Sequence, residues 1–318
     1  MRGPLVIAVD LGGTKLAAGL VDRDGSLSDH RVEPTDLSGE EAVLAQIERI
    51  VGGLADEEVC AVGIGVPSTV DQRSGRAVTS VNIPLAGVDL RDRLGERCDV
   101  PVTVENDANA AALAEHRLGA GRGSRHMVML TLGTGVGGGL VLDGRLYRGA
   151  IGAAAELGHI TIDVDGPPCQ GNCPGRGHLE AFVSGTAARR LAAERAEERP
   201  DGDLGRAAAA GRTIDARLAA ELAAAGPGDA REVLEHVGFH LGVGIAGYVN
   251  VFNPELVVVG GGLGEADELL LEPARREVAE RALPPAKDEV RIVAAELGPE
   301  AGLVGSALAA FEAVDAER

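Results

Sequence analysis

Tryptophan is absent from this sequence of 318 residues, and aromatic residues of all kinds amount to 2%. A hydrophobic core must therefore be assembled from Ala, Val, Leu and Ile. Lysine is nearly absent too: Lys15 and Lys287 are the only two, so arginine carries the positive charge. No basic run offsets a formal net charge of −19, which excludes a nucleic-acid interface built on a basic face and disfavours anionic membranes. Long hydrophobic runs are missing. "LVIAV" and "ELVVVG" are strand-length and far short of a bilayer span. The start, "MRGPLVIAVD", enters a strand pattern at once without an apolar secretory segment, so a cytoplasmic protein is expected. Cysteine is scarce. Cys60 and Cys98 stand alone and read as packing residues, whereas Cys169 and Cys173 are close together. A reducing compartment disfavours a structural disulfide and turns that second pair toward metal.

What is present describes an ordinary soluble chain, 45% hydrophobic and 25% charged, long enough for two domains or one bilobal one. Residues 5–22, "LVIAVDLGGTKLAAGLVD", read as two strands joined by a glycine turn, and residues 127–144, "MVMLTLGTGVGGGLVLDG", repeat the plan. Two copies of one unit predict an internally duplicated fold in which each half offers one turn to a shared cleft. Between them, "DLSGEEAVLAQIERIVGGLADE" predicts a helix. Ser38 and Glu41 would form its capping box, with Val43, Ile47, Ile50, Val51 and Leu54 on one face. "VCAVGIGVP" and "VPVTVEND" read as buried strands and "NDANAAALAEHRLG" as a helix from near Asn106 to Gly119. Residues 178–225 read as mostly helical. A strand ending near Gly260 and a closing helix "GLVGSALAAFEAV" complete an alternating α/β pattern.

An acidic protein can still bind an anionic substrate through backbone amides, a metal ion or a placed cation. "DLGGTK" has glycines directly after a strand, where main chain can approach a phosphate. Asp10 could hold Mg²⁺, and Thr14 and Lys15 add a hydroxyl and a cation. The bland reading is a hairpin turn. "LGTGVGGG" spends five glycines in eight residues, which is costly in chain entropy unless backbone must approach something, with Thr134 and Gly135 the expected phosphate contacts. In "VENDANAA", Asn106 and Asp107 lie where strand becomes helix. They are good caps, and Asp107 could also accept the proton of an attacking hydroxyl. In "VVVGGGL", Gly260, Gly261 and Gly262 could let a nucleoside lie against the backbone, or form a simple turn.

"AELGHI" sets Glu156 and His159 three apart, and "CQGNCPGRGHLE" follows. Cys169, Cys173 and His178 have ligand-like spacings, and His159 would complete a closed, structural Cys₂His₂ set. A free dithiol or a disulfide stays open as the alternative. Glu180 follows the clip directly.

Taken together, "DLGGTK", "ENDANAAALAE", "LGTGVGGGLV", "GAAAELGHI", "CPGRGHLEAFVSG" and "VVVGGGL" resemble the ROK family of sugar kinases, repressors and uncharacterised reading frames. The resemblance runs from near residue 5 to residue 310. It implies the duplicated α/β fold of actin and hexokinase (ribonuclease H-like), with two lobes around a cleft. The small lobe would be residues 1–115 with 300–318, and the large lobe, carrying a zinc clip, residues 116–299. By resemblance, Asp10, Gly12, Gly13, Thr14 and Lys15, with Thr134 and Gly135, hold the phosphates of ATP and Mg²⁺, and Gly261 and Gly262 flank the nucleoside. Asp107 is the catalytic base. Asn82, Asn106, Asp107, Glu156, His159 and Glu180 contact the sugar. His159 would put one ring nitrogen on zinc and the other on sugar. The family's usual clip is Cys-x-Cys-Gly-x-x-Gly-Cys; here the first spacing is Cys-x₃-Cys and His178 replaces the last cysteine. Ser68 stands where a glycine commonly meets the sugar.

The expectation is therefore an ATP-dependent glucokinase, forming a homodimer, that phosphorylates the 6-hydroxyl of a hexose. The same chemistry on N-acetylmannosamine, N-acetylglucosamine or fructose is the alternative. A sugar-sensing repressor would need a DNA-binding segment ahead of the first glycine turn, for which ten residues leave no room. An actin-like filament protein would have no use for Glu156, His159 and Glu180.

Overall fold

The structure is a computed structural model and describes residues 4–80, 83–96, 98, 100–264 and 268–316. Asn82, expected in the sugar site, lies outside the described residues.

Two five-stranded sheets form the frame. In the first, β1 (Leu5–Leu11), β2 (Lys15–Val21) and β3 (Leu27–Pro34) form an antiparallel meander. β4 (Val59–Val66) and β7 (Val102–Asn106) then extend the sheet in parallel, giving the order β3-β2-β1-β4-β7. β5 (Ser68–Asp71) and β6 (Arg76–Ser80) pair separately as a ribbon. The second sheet repeats the plan with β8 (Met127–Leu132), β9 (Val136–Leu142), β10 (Arg145–Leu146), β11 (Leu256–Gly260) and β12 (Arg291–Ala294), in the order β10-β9-β8-β11-β12. Again a hairpin is antiparallel and the two added strands are parallel. The α/β fold and its duplication, expected from the two glycine hairpins, are both present.

The first sheet is covered by α1 (Glu40–Gly52) and α2 (Leu90–Gly95), whose apolar faces share one buried cluster with it. Val43, Ile47, Ile50 and Val51 of α1 point inward as the periodicity requires. The expected capping box does not form. Gly39 is the N-cap, and the Ser38 hydroxyl donates instead to Asp36 Oδ1 at 2.6 Å. The helix begins one residue later than a box on Ser38 requires, so that hydroxyl is left to bond locally to the preceding loop.

The second sheet packs against α4 (Glu180–Val183), α5 (Gly185–Glu198), α6 (Asp203–Ala209), α7 (Ala216–Ala225), α8 (Asp229–Phe252) and α9 (Glu268–Arg281), with α10 (Ala286–Glu289) at its edge. Tyr248 is among the few aromatic side chains in that core. Between the sheets lie two helices, α3 (Asp107–Leu118) and α11 (Ala301–Ala316), packed on one another. α11 covers β1 and β4, and α3 covers β8 and β9. Their closeness depends on small residues: a Cβ at Gly305 would stand 1.7 Å from the Ala110 carbonyl oxygen. The scarcity of aromatics and the abundance of Ala and Gly thus have a structural counterpart in this tight middle layer.

The chain passes between the two sheets at residues 119–126 and again at 295–300. The fully buried Glu115 of α3 joins both passages. Its carboxylate accepts from the Ala120 N–H at 2.9 Å, Leu297 N–H at 2.8 Å and Glu296 N–H at 3.2 Å. No helix among the described residues is long and apolar enough to cross a membrane.

Candidate active site

The carboxyl ends of β1, β7, β8 and β11 open onto one cavity of about 510 Å³. Ligands of open α/β sheets bind at such ends, because loops leaving parallel strands diverge there.

Gly12 and Gly13 line it from the first hairpin, whose turn is closed by the Gly12 N–H to the Lys15 carbonyl at 2.9 Å. Thr14 and Lys15 lie outside the cavity wall. Thr35, which no motif singles out, braces the turn by donating its hydroxyl to the Gly12 carbonyl at 2.7 Å. Asp10 sits behind the turn, against Gly65 of β4 and Gly302 of α11. Burial pushes its carboxyl up to about 6; the nearby Asp107 adds to this and Lys15 opposes it. A desolvated carboxylate beside another acid suits a hard divalent cation.

Gly133, Thr134 and Gly135 line the opposite wall. The N-terminus of α5 holds this second turn: the Gly185 N–H donates to the Gly133 carbonyl at 2.8 Å and the Thr186 hydroxyl to the Thr134 carbonyl at 2.8 Å. The glycine run beyond it has another cause. A Cβ at Gly137 would stand 2.8 Å from that of Ala108, and one at Gly139 2.3 Å from that of Ala112, so these glycines inside β9 let α3 lie flat on the strand. Val136, Gly137 and Gly138 border the cavity as well, beside the turn itself. Gly261 lines it after β11, whereas Gly262 does not.

Asn106 and Asp107 form the floor where β7 becomes α3. Asn106 is also the N-cap, accepting the Asn109 N–H at 3.0 Å and donating to the Ser68 carbonyl at 3.3 Å. Its bland role is therefore real. Asp107 opens the helix and accepts the Ala108 N–H at 2.8 Å. Burial drives its carboxyl above the ordinary range, and Glu156 reinforces the shift.

Glu156, His159 and Glu180 complete the wall. Residues 157–159 make a single 3₁₀ turn, which the buried Tyr248 hydroxyl of α8 supports by donating to the Leu157 carbonyl at 2.5 Å. The Glu180 carboxylate accepts the Val136 N–H at 2.8 Å and the Cys169 thiol at 3.5 Å, tying the second glycine turn to the cysteine loop.

His159, Cys169, Cys173 and His178 come together, with one ligand atom of each within 4.8 Å of all the others. His159 Nδ1 is 3.4 Å from His178 Nδ1 and 3.7 Å from Cys169 Sγ, and Cys173 Sγ is 3.4 Å from His178 Nδ1. Tetrahedral zinc, with bonds of about 2.0–2.3 Å, needs ligand atoms roughly 3.3–3.8 Å apart, so this set fits. Cys169 and Cys173 are not joined to one another and carry free thiols, and burial raises the Cys169 thiol to about 12. The longer Cys-x₃-Cys spacing puts Gln170, Gly171 and Asn172 on the cavity wall. Gln170 Nε2 also donates to the Glu180 carbonyl at 3.0 Å. The sequence contained a signal for Gln170, its place inside the clip; Thr35 and Tyr248 carried none.

The ROK family model matches residues 6–313. A glucokinase of Thermotoga maritima is 39% identical over 305 residues, covering 95% of this chain and 96% of that one. A glucokinase of Streptomyces coelicolor is 37% identical over 313 residues, with 95% and 96% covered. Among solved structures, a ROK family glucokinase from Streptomyces griseus in complex with glucose and AMPPNP superposes with a TM-score of 0.85 at 36% identity, covering 97% of this chain and 99% of that one.

Proposed function

The chain belongs to the ROK family, and on that premise we propose that it is an ATP-dependent glucokinase, transferring a phosphoryl group to the 6-hydroxyl of glucose. The observation that carries this reading is convergence. Both glycine turns, the Asn106–Asp107 floor and the trio Glu156, His159 and Glu180 line one cavity.

Asp107 is the general base. Burial makes its carboxyl more basic, while its position at the start of α3 favours the charged form. It accepts the proton of the 6-hydroxyl as that oxygen attacks; in a loose transition state the proton leaves late, so orientation matters more than basicity. Asn106, Glu156, His159 and Glu180 hold the other hydroxyls, and Asn82 is assigned with them. Main-chain amides of the turns at residues 12–15 and 133–135 receive the phosphates, and Gly261 and Gly262 border the nucleoside. Mg²⁺, when bound near Asp10, neutralises phosphate charge. Zinc, when bound by His159, Cys169, Cys173 and His178, fixes the His159 ring so that its second nitrogen is left for the sugar.

Residues 1–115 with 300–318 and residues 116–299 act as two lobes that close on the substrates and exclude water. Support comes from the packing of α11 on the first sheet. A homodimer is part of the same reading, supported by Val251 and Leu283, large exposed aliphatics brought near each other by the Leu283 N–H to Asn250 bond. Free thiol ligands and an ATP substrate agree with a cytoplasmic protein.

The test is ADP release over a panel of hexoses and amino sugars, with ATP and polyphosphate as donors. Glucose with ATP should give the highest kcat/KM. Asp107→Ala should lower kcat about 10³-fold while nucleotide still binds. Turnover near that of the unaltered chain would refute the base assignment.

A further inference from the structure

We propose that Glu105 and Arg148 are a positioning pair that holds the hexose-binding loop in register with the catalytic end of β7. The proposal rests on the glucokinase reading and deepens it.

Glu105 precedes Asn106 and Asp107 at the end of β7 and is 1% exposed. Arg148 Nε donates to its Oε2 at 2.6 Å. Its Oε1 accepts the Asn106 N–H at 3.0 Å, Asn109 Nδ2 at 3.3 Å and Gln72 Nε2 at 3.3 Å. One carboxylate therefore fixes the main chain at Asn106, the first turn of α3 and the loop after β5. A carboxylate this deeply buried needs a cation, and Arg148 supplies it.

Arg148 belongs to the segment that runs from β10 to Glu156, attached to the second sheet. Its carbonyl accepts the Ala154 N–H at 3.2 Å, which closes residues 148–154 into a loop. Gly152 of that loop lies on the main chain of β5, where a Cβ would stand 1.8 Å from the Val70 carbonyl oxygen. Ala155 has a φ of 64°, unusual for a residue with a Cβ, and its carbonyl accepts the Leu157 N–H at 2.7 Å. The loop is therefore tightly shaped, and the residue it presents next is Glu156. Ala154, Ala155 and Glu156 line the cavity together with Asn106 and Asp107, whereas Glu105 and Arg148 do not. The pair thus touches no substrate. It ties the loop that carries Glu156 to the strand end that carries Asp107, and a sugar must meet both at once. The phosphate turns have separate braces in Thr35, Gly185 and Thr186. Loosening the pair should therefore cost hexose binding and leave the nucleotide side alone.

Steady-state kinetics of Arg148→Ala, Arg148→Lys and Glu105→Gln in the full chain, each first checked for folding by circular dichroism, test this. Arg148→Ala should raise the hexose KM at least about ten-fold with the ATP KM within about two-fold, since a misplacement of about 1 Å is enough for such losses. Millimolar guanidinium should restore part of the loss, and Arg148→Lys, which keeps the charge without the planar fork, should fall between. A hexose KM within two-fold of the unaltered chain, or hexose and ATP KM rising together, overturns the proposal. If Arg148→Ala does not fold, Glu105→Gln, nearly equal in shape, decides on the same criterion with an expected rise of at least about three-fold. If the unaltered chain phosphorylates no hexose, the glucokinase reading fails and takes this pair's role with it. Normal turnover by the unaltered chain with no split in the variants sinks the pair alone.

Discussion

Asp10 is shaped by competing demands. Its side chain is enclosed by Gly65 and Gly302, and desolvation there outweighs the help of Lys15. At pH values below 3.8, the carboxyl's ordinary value, it is protonated in the folded and unfolded chain alike and costs nothing. As pH rises through about 6 the ligand-free fold must hold a buried charge, and stability falls by at most about 3 kcal/mol. Asp10→Asn should therefore raise the Tm of the ligand-free protein at pH 8 and leave it nearly unchanged at pH 4. An equal gain at both pH values would mean that burial of charge is not the cause. Mg²⁺ with ATP should narrow the difference by supplying the cation the carboxylate lacks. Asn106 shows the same doubling of roles. Its side chain caps α3 and borders the cavity, so a capping role and a place on the cavity wall do not exclude one another.

At the scale of elements, residues 160–178 have almost no regular structure. They are shaped by isolated bridges at Thr161–His178 and Pro168–Arg176 and hold Cys169, Cys173 and His178, which converge with His159. The fold of such a loop should depend on the ion. One zinc per chain is expected by metal analysis. Its removal by a chelator, or by Cys169→Ser, should weaken hexose binding about ten-fold or more through His159 and Glu180. A metal-free preparation with full hexose affinity would exclude the clip. The helices and strands were largely legible in advance. α3 starts at Asp107 and is capped at Gly119, α8 ends at Phe252 with Asn253 as its cap before proline, and β11 ends at Gly260, all where capping and breaker residues put them. The capping box failed because the helix starts one residue later, with Gly39 as its N-cap, a shift that spacing alone does not reveal. The glycine run of "LGTGVGGG" was expected to mark a close approach of backbone, and for Gly137 and Gly139 the partner in that approach is α3, which the sequence did not reveal.

At the scale of the whole molecule, the two sheets are joined by two passages of chain, and Glu115 binds both. Glu115→Ala would leave three backbone N–H groups near this junction without their acceptor and should destabilise the protein by about 3 kcal/mol or more. The Tm would then fall by roughly 5–10 °C, which calorimetry measures directly. A change under about 1 kcal/mol would show that water replaces the carboxylate and that the junction is looser than its bonds imply. What the sequence determined by itself was local: strand and helix positions, the repeated hairpin, and the residue types able to bind phosphate, sugar and metal. These follow from patterns of a few residues, because caps, turns and periodicity act over one or two turns of chain. What only the tertiary structure decided was which distant segments meet. Glu105 reaches Arg148, Tyr248 reaches Leu157, and Thr35 reaches Gly12 across gaps in sequence that no motif spans. Packing sets those meetings, since a buried polar group must find its partner wherever the fold delivers one.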